Sequence, residues 1–263
     1  MASLDLSDRA YLVTGPAKGM GAAISLAIAQ AGGDLVLAGR DMPPIEALAE
    51  EARALGRTVV VHQTDVTRES DVEVAVAVGR MAFADRLQGA VLVAGLPGPS
   101  GKKLWEHNVE DFHALFDVNV LGVFLVMKHL LPAMMAAGAG SLVTIGGTYG
   151  FKGVRDASLY GATKWTLRGL TKSAALESGR QGVRVNMVSP GAVEGERLTR
   201  QFGEQAAREG TDYATVFDRF VAGTALGRAS LDSDVADAVL FLLSDASRNI
   251  TGQDLLVDGG TIV

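Results

Sequence analysis

The chain has 263 residues, of which 24 are Lys or Arg and 30 are Asp or Glu, for a formal net charge of −6. At about 150 residues per domain that length allows one to two domains. An acidic chain without a block of Lys and Arg lacks the clustered cations that neutralise phosphates, so nucleic acid is not an expected partner. The absence of cysteine excludes a disulfide framework, a thiolate metal site and a cysteine nucleophile.

Residues 1–8 contain no basic region followed by an apolar core, so they do not read as a secretory signal. The best apolar run, residues 120–127, is far shorter than the roughly 20 residues of a membrane helix, and no membrane partner is expected. A hydrophobic content of 48% supplies a core, and 32 glycines exceed the average usage of about 7%. These features read as a soluble, cytoplasmic, glycine-rich protein.

Short apolar runs rich in β-branched residues alternate with longer helical patterns. The expected strands are 11–14, 35–38, 58–62, 90–93, 141–145, 183–188 and 254–257. Several are apolar without alternation, as a strand covered on both faces must be. The expected helices are 22–31, 45–55, 71–81, 109–137, 159–178 and 232–243. Strand–helix–strand alternation implies parallel strands with right-handed crossovers, hence an α/β doubly wound sheet with helices on both faces. No linker or repeat divides the chain, so residues 1–263 read as a single domain. Residues 118–135 are apolar nearly all round, which requires cover on every side and suggests an interface between copies of the chain. Residues 194–228 form a long charged excursion, and excursions of that length are usually lids or binding loops. Within it Arg197 and Arg200 are candidates to hold an anionic group, against the plainer reading of a solvated helix.

The first strand runs into Thr14-Gly15-Pro16-Ala17-Lys18-Gly19-Met20-Gly21 and then an apolar helix. Glycines there let the backbone approach a pyrophosphate seated on the helix N-terminus. The spacing, G-x-x-x-G-x-G, departs from the common G-x-G-x-x-G, so position in a βαβ unit carries the reading. The second strand ends Ala38-Gly39-Arg40, with no acid to accept from both ribose hydroxyls and a guanidinium suited to a 2′-phosphate. Lys18 could add a second cation to the same phosphate. The expectation is therefore NADP(H), with NAD(H) possible; in the alternative Arg40 and Lys18 are solvated and Asp41 caps the next helix. Asp65-Val66, after the third strand, stands where adenine would lie, or Asp65 forms an Asx turn.

Tyr160-Gly161-Ala162-Thr163-Lys164 sets a phenol and an ammonium four residues apart on one helix face. A free tyrosine has a pKa near 10, too high for proton transfer at neutral pH, and a neighbouring cation lowers it by stabilising the phenolate.

With Thr14-Gly15-x-x-x-Gly19-x-Gly21, Asp65-Val66, Ala94-Gly95, Asn119, Tyr160-x-x-x-Lys164, Pro190-Gly191 and Val257-Asp258-Gly259-Gly260 in that order, the chain resembles the short-chain dehydrogenase/reductase family over essentially its whole length. The resemblance implies a Rossmann-type seven-stranded parallel sheet, and a homotetramer or homodimer built through the helices at 118–135 and 159–178. It also implies hydride transfer between a nicotinamide and a small-molecule carbonyl or alcohol. Tyr160 would be the proton donor or acceptor, and Lys164 would hold the nicotinamide ribose. Asn119 would hold a water linking Lys164 to solvent, and Pro190, Gly191 and Val193 would line the nicotinamide carboxamide; Gly15, Lys18, Gly19, Met20, Gly21, Arg40, Asp65, Val66, Ala94 and Gly95 would complete the cofactor site.

Three departures stand out. Leu92-Val93 replaces the family's Asn-Asn before Ala94-Gly95. Ala192-Val193-Glu194 lacks the usual threonine after Pro190-Gly191. The family's catalytic serine falls on Gly147, with Thr148 one position off. Either Thr148, the substrate or water compensates, or the position is altered. The expected activity is an NADP(H)-preferring ketone, aldehyde or alcohol oxidoreductase. The rivals are an NAD-dependent secondary-alcohol dehydrogenase and a catalytically weak dinucleotide-binding protein. No G-x-S-x-G elbow or G-x-x-x-x-G-K-[ST] loop is present. His62, His107, His113 and His129 show no metal-ligand spacing, so no metal is expected.

Overall fold

Apolar, β-branched segments make the strands, and their pleat sends successive side chains to opposite layers. The computed structural model describes residues 4–99 and 101–263. Among these the strands are β1 (Ala10–Thr14), β2 (Asp34–Gly39), β3 (Val59–Gln63), β4 (Leu87–Leu92), β5 (Gly140–Ile145), β6 (Val183–Pro190) and β7 (Asp254–Val257). They form one seven-stranded sheet in the order β3-β2-β1-β4-β5-β6-β7, parallel throughout. The doubly wound expectation holds. β4 begins three residues earlier than its apolar run suggested, and β6 extends two residues further, to Pro190.

The helices are α1 (Met20–Gln30), α2 (Met42–Ala54), α3 (Glu69–Phe83), α4 (Val109–Phe116), α5 (Gly122–Ala137), α6 (Ser158–Ser178), α7 (Glu196–Glu209), α8 (Tyr213–Ala222) and α9 (Asp232–Leu243). Alternation within the strands feeds two cores. Leu12, Val36, Ala90 and Leu142 pack with α3, α5 and α6 residues such as Val76, Leu130 and Leu167. Their neighbours Val13, Leu37, Val91 and Val143 pack on the other side with Ile24 and Ile28 of α1, Ile45 of α2 and Val239 of α9.

Two expected segments gain detail. The helix expected over 109–137 is present at those bounds and contains a π turn at Asp117–Leu121 between α4 and α5. Such wide turns are rare and concentrate at functional sites. The whole stretch Val109–Ala137 is long and apolar enough to cross a membrane by length and composition, although residues 120–127 alone are not. Its α5 portion nevertheless buries Val123, Leu125, Val126, Met127, Leu130 and Met134 within the protein. The excursion at 194–228 contains α7 and α8, whose Leu198, Phe202, Ala206 and Val216 make a third apolar cluster.

β1 is flanked by β2 on one side and β4 on the other, so the strand order reverses there. In register, Thr14 at the end of β1 lies beside Ala38 and Leu92. Crevices at such reversal points, beyond the carboxyl ends of the strands, are where ligands bind in open α/β sheets.

Candidate active site

The loop after β1 is shaped by what its glycines allow. A Cβ at Gly15 would lie 2.8 Å from the Ala94 Cα, and one at Gly21 would lie 2.1 Å from the Gly15 carbonyl oxygen. Gly19 holds a left-handed φ of 55° at the start of α1, where no side chain caps the helix and no acid occupies the first turn. The free N–H groups therefore face the crevice, a cradle suited to a pyrophosphate. Ala94 joins it through its backbone N–H, which donates to Thr14 Oγ1 at 3.4 Å.

Both cations expected at the ribose end reach solvent. Arg40 is exposed, beside a buried Gly39. Lys18 is exposed and lies 3.7 Å from Glu196 at the start of α7, an ion pair open to solvent. Asp41 sits at the N-cap position of α2 without making a capping bond, so the capping role considered for it is not observed. Asp65 Oδ1 accepts from both the backbone N–H and the hydroxyl of Thr67, at 3.0 and 2.8 Å. That is the Asx turn of the simpler reading. The Thr67 bonds and the charges of Arg40 and Arg68 hold its carboxyl below the usual range, against a smaller effect of burial. Val66 is buried, and a Cβ at Gly122 would come within 2.8 Å of it, so Gly122 lets α5 start flush against this loop.

Asn119, delivered by the π turn, is 1% exposed. Its Oδ1 accepts from the Leu96 N–H at 2.7 Å, while its Nδ2 donates to the Leu96 carbonyl at 2.9 Å and to Thr163 Oγ1 at 3.3 Å. The amide therefore braces the segment after β4, a task left open where Leu92-Val93 replaces Asn-Asn. Thr163 in turn donates to the Tyr160 carbonyl at 2.7 Å. Gly95 lies against this brace: a Cβ there would be 3.4 Å from Asn119 Oδ1.

Tyr160 and Lys164 share a face near the start of α6. Lys164 Nζ donates to the Ile145 carbonyl at 3.1 Å and lies 5.3 Å from the centre of the Tyr160 ring. On the other side Arg197 of α7 donates from Nη2 to the Tyr160 hydroxyl oxygen at 3.1 Å. Burial pushes the Tyr160 phenol up, but the Lys164 ammonium and the Arg197 guanidinium outweigh it and hold the pKa below the ordinary value. Burial also pulls the Lys164 pKa down, the Arg197 charge adding to that and the Tyr160 phenol opposing it. Tyr149 meets the Tyr160 ring edge-on, with centroids 5.8 Å apart.

A cavity of about 460 Å³ opens in front of the phenol. Met20, Pro190, Gly191 and Val193 line one part of it, and Leu198, Phe202 and Phe220 line the part under the excursion. Gly191 is a true close approach, since a Cβ there would be 2.9 Å from that of Asp258. Gly147 is different. Its φ of 160° is extended, and a Cβ would stand 4.0 Å from the Tyr160 hydroxyl and 3.8 Å from the Pro190 carbonyl. A side chain fits there and would face the phenol. Thr148 is buried and lines the same cavity. Lys152, Arg155 and Arg197 also line it. Lys152 and Arg155 come from an irregular segment with no periodicity to place them, so they escaped the sequence reading. Arg200 is exposed and is not among the lining residues.

A glycine cradle at the reversal point of a parallel sheet, next to a phenol activated by cations, defines a dinucleotide-dependent oxidoreductase. Comparison with known proteins agrees. The family described as enoyl-(acyl carrier protein) reductase matches residues 15–261. A short-chain dehydrogenase/reductase of Armillaria gallica is 35% identical over 270 residues, spanning 100% of this chain and 99% of that protein. Among solved structures, NAD+-bound xylitol dehydrogenase superposes with a TM-score of 0.92 at 27% identity, covering 97% of this chain and 99% of that one. A variant of actinorhodin polyketide ketoreductase with NADPH gives 0.90 at 30% identity, covering 99% of both chains. The chain belongs to the short-chain dehydrogenase/reductase family.

Proposed function

We propose that the protein interconverts a ketone or aldehyde and an alcohol by hydride transfer, preferring NADP(H), with Tyr160 as the proton donor and acceptor. The observation that carries this reading is the Tyr160 phenol at the cavity wall, held between Lys164 and Arg197. A bound nicotinamide supplies or takes up the hydride. Gly15, Gly19 and Gly21 would hold its pyrophosphate, with Met20, Ala94 and Gly95 beside them. Lys164 would meet the nicotinamide ribose, while Pro190, Gly191 and Val193 would meet the carboxamide. In reduction the phenol donates its proton to the substrate oxygen; in oxidation the phenolate takes that proton back. The two flanking cations favour the phenolate, which brings the group closer to the working pH. Asn119 acts by fixing the loop after β4 and, through Thr163, the first turn of α6.

The preference for NADP(H) is supported by the buried Gly39, which offers no acid, and by the exposed Arg40 and Lys18. The exposed, uncapped carboxylate of Asp41 favours the NAD(H) alternative. Residues 194–228 serve as the substrate lid of a single-domain enzyme. The exposed apolar residues Leu121, Phe124, Trp165 and Leu176 support assembly into a homodimer or homotetramer through residues 118–135 and 159–178.

The test is a panel of ketones and aldehydes with NADPH and NADH, followed by nicotinamide absorbance, for the wild type and Tyr160→Phe. The variant should lose nearly all turnover while retaining cofactor binding, because the phenol acts mainly in the transition state. Undiminished turnover in Tyr160→Phe, or no turnover of any carbonyl by the wild type, would overturn the proposal.

A further inference from the structure

The protein is acidic overall, with a net charge of −6, yet the wall of its reaction cavity carries the opposite sign. Lys152, Arg155 and Arg197 line it, and among the described residues no Asp or Glu does. Some cations elsewhere pair with carboxylates, among them Lys102 with Asp111, Lys103 with Asp156 and Arg228 with Asp234. Among the described residues, Lys152, Arg155 and Arg197 have no such partner. Arg197, exposed at the cavity mouth, sets its guanidinium 5.5 Å from the Tyr160 ring centre and its Nη2 3.1 Å from the hydroxyl that would meet the reacting oxygen. Three cations lining one cavity without a counter-charge give it a positive field that draws an anion in. The planar fork of an arginine matches a carboxylate in particular.

We infer that the substrate is an oxo acid and the corresponding hydroxy acid, with its carboxylate held by Arg197. The inference rests on the oxidoreductase reading above and adds the charge of the substrate to it. A group bound to the Arg197 fork lies close to the carbonyl that meets Tyr160, so the carboxylate stands one to three carbons from the reacting carbon. Lys152 and Arg155 draw the anion in. Leu198, Phe202 and Phe220 receive the apolar remainder of the substrate. In reduction the carbonyl carbon accepts a hydride from the reduced nicotinamide and the oxygen accepts a proton from Tyr160. The carboxylate itself is unchanged.

The experiment pairs oxo acids, with the carboxylate one, two or three carbons from the carbonyl, with their neutral carboxamides at one pH. It uses the wild type, Arg197→Met and Arg197→Lys with saturating NADPH or NADH. Hydrogen bonds to a charged group support an acid-to-amide ratio in kcat/KM of about ten- to a hundredfold in the wild type. The ratio should collapse toward one in Arg197→Met and return in part in Arg197→Lys. Being a ratio, it is insensitive to a general loss of activity in either variant. Equal use of acids and amides by the wild type, or a preference that survives in Arg197→Met, overturns the inference while leaving the oxidoreductase reading intact. If no carbonyl is reduced, that reading fails. Calorimetric titration of the same acids and amides into the enzyme with cofactor then decides the inference: wild-type binding confined to the acids and lost in Arg197→Met supports it, and any other pattern overturns it.

Discussion

Restoring a hydroxyl at position 147 should make the enzyme faster. The backbone of Gly147 is extended and donates from its N–H to Ser189 Oγ at 3.2 Å. A Cβ would meet nothing closer than the Pro190 carbonyl at 3.8 Å, with the Tyr160 hydroxyl and Lys164 Cγ at 4.0 Å. A serine therefore enters without strain, and its Oγ, one bond further out, can come within hydrogen-bond reach of an oxygen resting on Tyr160. A donor placed where negative charge develops is worth about 3–4 kcal/mol, or 10²–10³ in rate. Arg197 already directs positive charge at this spot, so we expect the lower part of that range or somewhat less, about ten- to a hundredfold in kcat for a simple ketone. The assay is steady-state nicotinamide absorbance on Gly147→Ser, with thermal unfolding to confirm that the fold is kept. Gly146→Ser is the contrasting control. A Cβ there would fall 2.0 Å from Met187 Cε and 2.4 Å from Ser189 Oγ, so it should destabilise by about 1–3 kcal/mol through overpacking. A properly folded Gly147→Ser enzyme with unchanged or lower kcat would refute the reasoning. If Thr148→Val were also slow, the loop would be organised around Thr148.

If Arg40 reads a 2′-phosphate, Arg40→Asp should weaken NADPH by roughly ten- to a hundredfold and NADH far less, measured as dissociation constants; equal losses, or a wild type that prefers NADH, would reject it. Because the Lys164 and Arg197 charges favour the phenolate, Lys164→Met and Arg197→Met should each move the rising limb of the oxidation pH profile to higher pH, since the base then needs a higher pH to ionise. An unmoved or lower limb in both would count against Tyr160 as the base. Sedimentation should show a dimer or tetramer at micromolar concentration, and Phe124→Asp or Trp165→Asp should give smaller species or aggregates. A monodisperse wild-type monomer would remove the assembly argument.

Local chemistry written into the chain was the legible part. Continuous β-branched runs marked the sheet, and the four-residue spacing of Tyr160 and Lys164 put them on one face because both belong to one uninterrupted helix. In the excursion, Leu198, Phe202 and Ala206 recur at helical spacing and form the buried face of α7. What could not be read depended on contacts between distant segments. Asn119 is defined by bonds to the backbone of Leu96, and backbone groups leave no signature in side-chain identity. Arg197 reaches Tyr160 only because α7 folds over the end of the sheet. Residues 109–137 also fail to keep one helical period, although they form one continuous helical stretch. A π turn inserts an extra residue, and each residue advances a helix by about 100°, so patterns before and after it are out of phase.

That wide turn also decides which kind of change the site can tolerate. Substituting Val118 or Val120 alters packing, whereas shortening Asp117–Leu121 by one residue would let α4 run into α5 as a regular helix. The local backbone would be better hydrogen-bonded, yet α4 and α5 would be rotated by about 100° relative to each other. The Asn119 amide could no longer stay on Leu96 while α5 kept its seat on the sheet. Chain length in this segment is therefore under tighter constraint than residue identity, and a gain in helical regularity would come with the loss of the brace.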